Sequence, residues 1–373
     1  MKSLKSFLKS KLSIKQRITF RSLLNFFTSP GKLGRNMNLL NYANELLKSP
    51  KISFVPPVLS VAITDSCNLC CPSCLFLLEN EKRFFPSNIT VEKFRQILEK
   101  YNNGKKAEVI FLGGGEPLLH PDIDKLIEIS LEYGLAPKTS TNGILLKNKI
   151  SLLKKMEYIN VSLDSYDEDS FKKYRGGTPK QFKMIKEGVK AIKENGVYFS
   201  VSFLLSMENI PEIDKMLAFA TEIGPNYLYF HNINPHGCSK YQSLVRNDDV
   251  TEIFLKKITA KNDYPFDIHL PVIFDTSSPM FREAKCIQPW HSFCCNSVGD
   301  IAFCCHLSPR SDIGNVFKNY DFNSAKMIKF RNDIISGKIP KSCLYCQRRF
   351  MGDEYGHFDS KAGKWILINS EIS

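Results

Sequence analysis

The chain reads as an α/β protein, a partial (β/α)6 barrel of the TIM type followed by a small α+β module. Three observations carry that expectation. Short β-rich runs and helical periodicities alternate six times between residues 58 and 232, and repeated βα units with right-handed crossovers build a parallel sheet. Glycines and polar residues fall in the loops leaving the strand C-termini, the functional face of such folds. Beyond Asn232 the alternation stops, and cysteines gather between 286 and 346.

In chain order, residues 1–28 have a helical pattern that stops before Pro30-Gly31, and Leu39 to Leu47 predicts a second short helix ended by Ser49-Pro50. Val58 to Thr64 (VLSVAIT) is a continuous apolar run, as expected of a strand buried on both faces. Then follow a helix at Val91–Tyr101, a strand at Glu108–Leu112, a helix at Ile123–Tyr133, a strand at Pro137–Thr141, a helix at Lys147–Met156 and a strand at Tyr158–Leu163. A helix at Gln181–Asn195, a strand at Tyr198–Leu205, a helix at Pro211–Ile223 and a strand at Tyr227–His231 complete the series. The C-terminal third predicts a hairpin turning at Asn296–Gly299, a turn at Gly314-Asn315 and a helix at Ala325–Ser336. Tyr355, His357 and Trp365 suggest an ordered tail. The expected divisions are 1–50, 51–240, 241–285, 286–350 and 351–373.

Hydrophobic content of 43% and charged content of 24% over 373 residues fit a soluble globular chain. The 12 cysteines bunch at 67–74, 286–305 and 343–346, with Cys238 apart, and three adjacent pairs occur (Cys70-Cys71, Cys294-Cys295, Cys304-Cys305). That distribution argues against a secreted disulfide framework and for a reducing compartment. No apolar run approaches the roughly 18 residues of a membrane span, and no signal-peptide pattern is seen, so a cytoplasmic protein is expected. The net charge of +13 is concentrated: residues 1–44 carry nine basic residues and no acid. In 1–28 these alternate with Leu4, Phe7, Leu8, Phe26 and Phe27, among others. The pattern suits either a helix packed on the protein's own core or one lying on an anionic membrane surface, peripheral at the inner face. It suits nucleic acid less well.

The central stretch is Val61 to Leu75 (VAITDSCNLCCPSCL), which sets Cys67, Cys71 and Cys74 in a C-x3-C-x2-C array. Thiolates select zinc, Cu(I) or iron-sulfur clusters, and three of them leave one metal position open. A zinc knuckle is the competing reading. Strand two ends in Gly113-Gly114-Gly115-Glu116-Pro117, whose glycines permit close ligand approach and whose Glu116 can accept from an ammonium group. Further along come Ser140-Thr141-Asn142-Gly143, Ser162-Leu163-Asp164 and Arg175-Gly176-Gly177. An Asp at a strand end suits ribose hydroxyls, and an Arg suits a carboxylate.

Taken in order, these motifs resemble those of the radical SAM superfamily over roughly residues 58–232. The resemblance implies a 4Fe-4S cluster on Cys67, Cys71 and Cys74, with S-adenosylmethionine (SAM) at its open iron. It implies that Gly114, Gly115 and Glu116 serve the methionine amino group, that Ser140 and Asn142 lie near the carboxylate, that Ser162 and Asp164 lie near carboxylate or ribose, and that Arg175 binds the carboxylate. Cys70 fills a variable place and is read as a non-ligand. Ser73 departs from the family, which commonly has an aromatic residue before the last cysteine. Cys286, Cys304, Cys343 and Cys346 resemble the SPASM/Twitch module, and four cysteines suit its single-cluster Twitch form, an auxiliary 4Fe-4S cluster. Cys305 could replace Cys304, Cys294 and Cys295 are spare candidates, and a zinc ribbon is the alternative. The implied activity is reductive cleavage of SAM to a 5'-deoxyadenosyl radical that abstracts hydrogen from a substrate, with a one-electron donor such as flavodoxin or ferredoxin. The substrate would be a peptide, a sugar or a lipid-linked molecule; a non-catalytic iron-sulfur or zinc scaffold is the contrasting class.

Overall fold

Strand β1 (Val58–Thr64) alternates half-buried Val58, Ser60 and Ala62 with fully buried Leu59, Val61 and Ile63. That alternation recurs in β2, β3 and β6 of the computed structural model, which describes residues 33–74, 87–102, 106–234, 241–245, 248–277, 286–318, 321–350 and 356–367. The expected helix at 1–28, Cys238 and Tyr355 lie outside the described residues.

The elements are α1 (Leu33–Glu45), β1, α2 (Val91–Tyr101), β2 (Val109–Gly114), α3 (Ile123–Glu132), β3 (Ala136–Thr141), α4 (Ile150–Leu153), β4 (Tyr158–Ser162), α5 (Glu168–Arg175) and α6 (Pro179–Glu194). They continue with β5 (Phe199–Leu205), α7 (Ile213–Ile223), β6 (Tyr227–Asn232), α8 (Asp249–Thr259), β7 (Asp267–His269), α9 (Gln288–His291), β8 (Ser292–Cys295) and β9 (Asp300–Ala302). β10 (Arg310–Asn315), α10 (Ala325–Ile335), β11 (Gly356–Asp359) and β12 (Lys364–Leu367) complete the chain. Strands β1 to β7 pair in sequence order, all parallel. This is the expected partial barrel, extended at both edges: β8 joins β1 in parallel, and β9 and β10 follow antiparallel. At the other edge β11 and β12 follow β7.

Helix starts follow local chemistry. Thr178 caps α6, its hydroxyl accepting from Gln181 N while Gln181 returns a bond to Thr178 N, and Pro179 supplies the preset first turn. Asp167 caps α5 in the same reciprocal way with Ser170. The outer, apolar strand face (Leu59, Val61, Ile110, Leu112, Ile159, Val161, Val201, Phe203, Leu228) packs on Phe94, Leu98, Leu126, Ile185, Val189 and Met216 of the helices in one core. Each such side chain contributes about 1.5 to 3 kcal/mol by burial. A second cluster packs residues 42–54 against residues 287–339: Trp290 donates Nε1–H to Ser49 O at 2.8 Å, and buried Arg331 donates to Pro50, Pro289 and Phe322 carbonyls.

Several expectations need correction. Strand β1 is not apolar on both faces in effect, because its lumen face carries only small residues beside a cavity. The expected helix at 147–156 shrinks to a 3-10 turn at Leu146–Asn148 and the single turn of α4, because Lys149, at φ −125°, interrupts it. The βα alternation continues past Asn232 into α8 and β7. Helix α1 begins at Leu33 and ends at Glu45 rather than spanning 39–47.

Candidate functional site

The loop carrying Cys67, Cys71 and Cys74 leaves the C-terminal end of β1 and is gripped from several sides by the loops expected to bind ligand. Gly115 N donates to Thr64 O at 2.8 Å and Glu116 N to Ser66 O at 2.7 Å. A Cβ on Gly114 would stand 2.1 Å from Thr64 O, and one on Gly115 2.2 Å from Ser66 O, so no side chain fits at either position. On the far side Gly176, the left-handed cap of α5 at φ +64°, presses on Cys70, where a Cβ would meet the carbonyl oxygen at 2.5 Å. Asn68, between the first two cysteines, accepts from Asn142 Nδ2 at 2.7 Å through Oδ1 and from Gln181 Nε2 at 3.1 Å through its carbonyl. The glycines expected to admit a ligand therefore admit the cysteine loop's own backbone.

Glu116 is 2% exposed, and its carboxylate accepts from Leu118 N (3.0 Å), Thr141 Oγ1 (2.8 Å) and Asn142 N (2.7 Å). Burial pushes its pKa up, opposed by those bonds and by the Arg175 charge. A carboxylate has about four acceptor positions, so three occupied leave one. Asn142 has its amide engaged on both sides, donating to Asn68 and accepting from Ile144 N at 3.1 Å. Ser140 and Ser162 are half-buried at the C-terminal ends of β3 and β4, on the lumen face, and Asn160 donates to Ser162 Oγ at 3.4 Å.

Arg175 donates from Nη1 to Asp164 Oδ2 at 2.8 Å, and Asp164 Oδ1 accepts from Leu204 N at 2.7 Å. Asp164 adopts φ +49°, an uncommon backbone for a non-glycine residue. Arg175 Nε is buried and without a hydrogen-bond partner. An orphaned, buried guanidinium N–H beside the cysteine loop is a donor without its acceptor, and it fits a ligand carboxylate there. Cys67, Cys71 and Cys74 are partly exposed and Cys70 is exposed. Burial pushes the Cys71 thiol up to about 11, partly offset by Arg175.

At the other end of the lumen, Cys286, Cys304, Cys343 and Cys346 are all buried and line one cavity of about 20 Å³. Cys305, by contrast, is exposed and faces the larger cavity. Burial pushes Cys286 up to about 12 and Cys346 up to about 11, so near pH 7 a neighbouring positive charge is what favours their thiolates. Arg349 is such a charge: it is 5% exposed, close enough to feel Cys343, Cys286 and Cys346, and donates Nη1–H to the carbonyls of Cys343 and Leu344. Among the described residues no three His, Cys, Asp or Glu side chains converge on one ion-sized point. A cubane cluster instead gives each thiolate its own iron, so seven thiols in sets of three and four have the donor chemistry of clusters. Cys295 belongs to the apolar core, whereas Cys294 pairs in register with Ser60 on the lumen face.

Between the two sets lies a cavity of about 780 Å³, walled by Ser73, Cys74, Gly113 and Gly114 at one end and by Cys304, Cys305 and His306 at the other. Arg348 Nε donates to His306 Nε2 at 3.2 Å. Burial, with Arg348 nearby, holds the His306 imidazole down to about 3 and His291 down to about 4, so both are neutral near pH 7. Sequence reasoning missed Asn68, Gln181, Lys138, Arg348 and Arg349. Only the run Cys346-Gln-Arg-Arg hinted at the last two.

The sequence pattern of the Radical SAM superfamily matches residues 61–220. A GTP 3',8-cyclase of Clostridium botulinum is 30% identical over 308 residues, covering 75% of this chain and 89% of that protein. A probable GTP 3',8-cyclase of Saccharolobus solfataricus is 27% identical over 209 residues, 54% of this chain and 66% of the relative. Streptococcus suis SuiB bound to S-adenosylmethionine superposes with a TM-score of 0.57 at 19% identity, over 84% of this chain and 76% of its own. AnSMEcpe bound to AdoMet and a peptide gives 0.56 at 16% identity, over 80% and 89%. At those identities the structural likeness carries the fold alone.

Proposed function

This chain belongs to the radical SAM superfamily, and we propose that it is a SAM-cleaving enzyme that modifies a substrate held in the lumen between two iron-sulfur clusters. The observation that carries the proposal is the single cavity of about 780 Å³ reaching from Cys74 to Cys304. Membership of the family implies SAM and one 4Fe-4S cluster; an auxiliary cluster on Cys286, Cys304, Cys343 and Cys346 is our reading. When bound, the reduced first cluster supplies the electron that splits SAM into methionine and a 5'-deoxyadenosyl radical, which takes hydrogen from an unactivated C–H bond.

The chain's own residues position and shield. Cys67, Cys71 and Cys74 would hold the first cluster, fixed by the Gly114-Gly115 clamp and by Asn68 bound to Asn142 and Gln181. Arg175, braced by Asp164, has a free Nε–H for the SAM carboxylate, and Glu116 has one acceptor position for the SAM ammonium. Ser140 and Ser162 would complete the lining. Four thiols closing the second site leave no open metal position, which favours a role in moving an electron over one in binding substrate. Arg349 beside them offsets the negative charge of such a cluster.

For the substrate, a peptide, a sugar or a lipid-linked molecule each fits a cavity of this size. A nucleotide reading has separate support, since two curated relatives from Clostridium botulinum named GTP 3',8-cyclase align over three quarters of this chain. A flavodoxin or ferredoxin would donate the electron. Among the described residues no helix is long and apolar enough to cross a membrane; the basic stretch 1–28 is our candidate for contact with an anionic membrane surface from the cytoplasm. Anaerobically reconstituted protein should bind roughly eight irons, given three-plus-four thiolate ligation, and should release 5'-deoxyadenosine from SAM under dithionite. Protein with full iron that never cleaves SAM would return the chain to the scaffold class.

A further inference from the structure

The lumen wall carries a lysine that the reading above leaves unused. Lys138 lies on the inner face of β3, in register between Phe111 of β2 and Tyr158 of β4, and lines the cavity. A lysine here, half-buried on a barrel's inner layer, is unusual, because a strongly hydrated ammonium loses water there. Among the described residues it forms no ion pair; its Nζ instead sits 5.9 Å from the centre of the Tyr158 ring, a weak cation–π contact. Arg348 approaches the same tyrosine and lines the same cavity beside His306.

Among the described residues the charge lining the cavity is one-sided. Glu108 is the one carboxylate among the described residues lining it, against Lys138 and Arg348. Three other described carboxylates near the lumen are engaged elsewhere: Asp164 on Arg175, Glu116 on three donors, and Asp267 on Ser360 N at 2.9 Å and Ser360 Oγ at 2.6 Å. Two cations on one wall of a partly enclosed cavity focus field on an incoming anion. The guanidinium offers a fork of N–H donors, and the ammonium a point charge, the complement of phosphate or carboxylate oxygens.

We propose that Lys138 and Arg348 grip an anionic group of the substrate, a phosphate or a carboxylate, on the lumen wall between the two cysteine sets. The inference rests on the reading of the lumen as the substrate site and adds the substrate's chemical class. The grip fixes the rest of the substrate along the wall toward Cys74, where SAM would be cleaved.

Full-length protein, reconstituted anaerobically, is titrated calorimetrically with inorganic pyrophosphate and, separately, with citrate. At least one anion should bind saturably and weaken as salt screens the contact. Its affinity should fall at least roughly tenfold in Lys138→Met and in Arg348→Gln, while Lys147→Met, whose ammonium sits outside the barrel on Glu187, should bind as the parent does. Tighter pyrophosphate binding assigns the site to phosphate, and tighter citrate binding to carboxylate. No saturable binding of either anion to the parent protein overturns the proposal, as does parent-like binding by Lys138→Met. Iron content and thermal midpoint show which variants fold, and the parent titration decides without them. SAM cleavage by the same preparation, measured with no anion present, tests the enzyme reading separately.

Discussion

The loop of Cys67, Cys71 and Cys74 and the C-terminal set of Cys286, Cys304, Cys343 and Cys346 reach one cavity through Cys74 and Cys304 and are built in opposite ways. The first places three partly exposed thiols on one short loop, which other loops hold by backbone contacts. The second draws four buried thiols from separate places in the chain and sets a buried arginine beside them. A loop held from outside leaves its inner face free to receive a ligand, whereas a site closed by four side chains has nothing left to offer one. Under the proposed function, that difference would separate a reaction centre from an electron station on the same sheet.

The sharpest break in that comparison is to remove one set at a time. Changing Cys67, Cys71 and Cys74 together to Ala should abolish SAM cleavage and remove about half of the iron. Changing Cys343 and Cys346 should remove the other half and leave SAM cleavage standing; iron assay and 5'-deoxyadenosine release read both. Iron content unchanged in either variant would mean that set holds none.

Next come the groups proposed to hold SAM. Arg175→Ala removes the orphaned donor and leaves Asp164 short of its partner, and Glu116→Ala strands three donors. Losing one partner of a desolvated charged pair costs roughly 2 to 5 kcal/mol, so SAM affinity should fall at least about tenfold in each. Glu116→Ala should also lower the denaturation midpoint, by roughly 1 to 3 kcal/mol for its unsatisfied donors. SAM binding at parental strength in both would make these residues purely structural.

Gly115→Ala probes the clamp itself. With Ser66 O only 2.2 Å from the new Cβ, the turn and the cysteine loop must part, at a cost of roughly 1 to 3 kcal/mol. The first cluster should load poorly while the second loads normally, a split visible in the iron count and the cluster spectra. Equal loss from both would show that the two sites fold as one unit.

A smaller contrast lies in pH. In cluster-free protein Cys71 and Cys346 ionise near 11 and Cys286 near 12, above the ordinary thiol value. From about pH 9 up to about 11 for Cys71 and Cys346, and up to about 12 for Cys286, the unfolded chain therefore holds fewer protons than the folded one, and stability falls as pH rises, by at most about 1.4 kcal/mol per pH unit for each thiol within its window. Loaded protein, its thiolates already ligated, should lack this slope; denaturation across that pH range compares the two. The smallest expected effect is that of Cys305→Ser, which should leave the iron count unchanged while Cys304→Ser lowers it.

Much of the fold was legible because local pattern and tertiary role agree. β1 and α2 run over the spans expected from VLSVAIT and VEKFRQILEKY, the first legible as a short apolar run and the second by its period of 3.6. Helix α5 was not foreseen, because EDSFKKYR has few apolar residues and its stability comes from the Asp167 and Gly176 caps. The pairing of β8 with β1 has no local signal at all, since register between distant strands is decided by packing. At the site, the residue types and their loops were readable. Their partners were not: nothing in the string Asn-Leu-Cys says that Asn68 is held by Asn142 and Gln181.

The β1–β8 pairing has a consequence for how the protein is made. Val58 must wait for Ser292, about 230 positions later in the chain. At roughly 5 to 20 residues per second of synthesis, the open edge of β1 stands bare on the ribosome for on the order of ten seconds or more. During that time its unpaired backbone groups invite any other extended segment. Cys67, Cys71 and Cys74 emerge early beside this bare edge, and the second cysteine set is finished only when Cys346 emerges. A cluster on the first set could therefore form before the sheet closes, and a delay before Ser292 is made would leave an edge-exposed chain prone to aggregate.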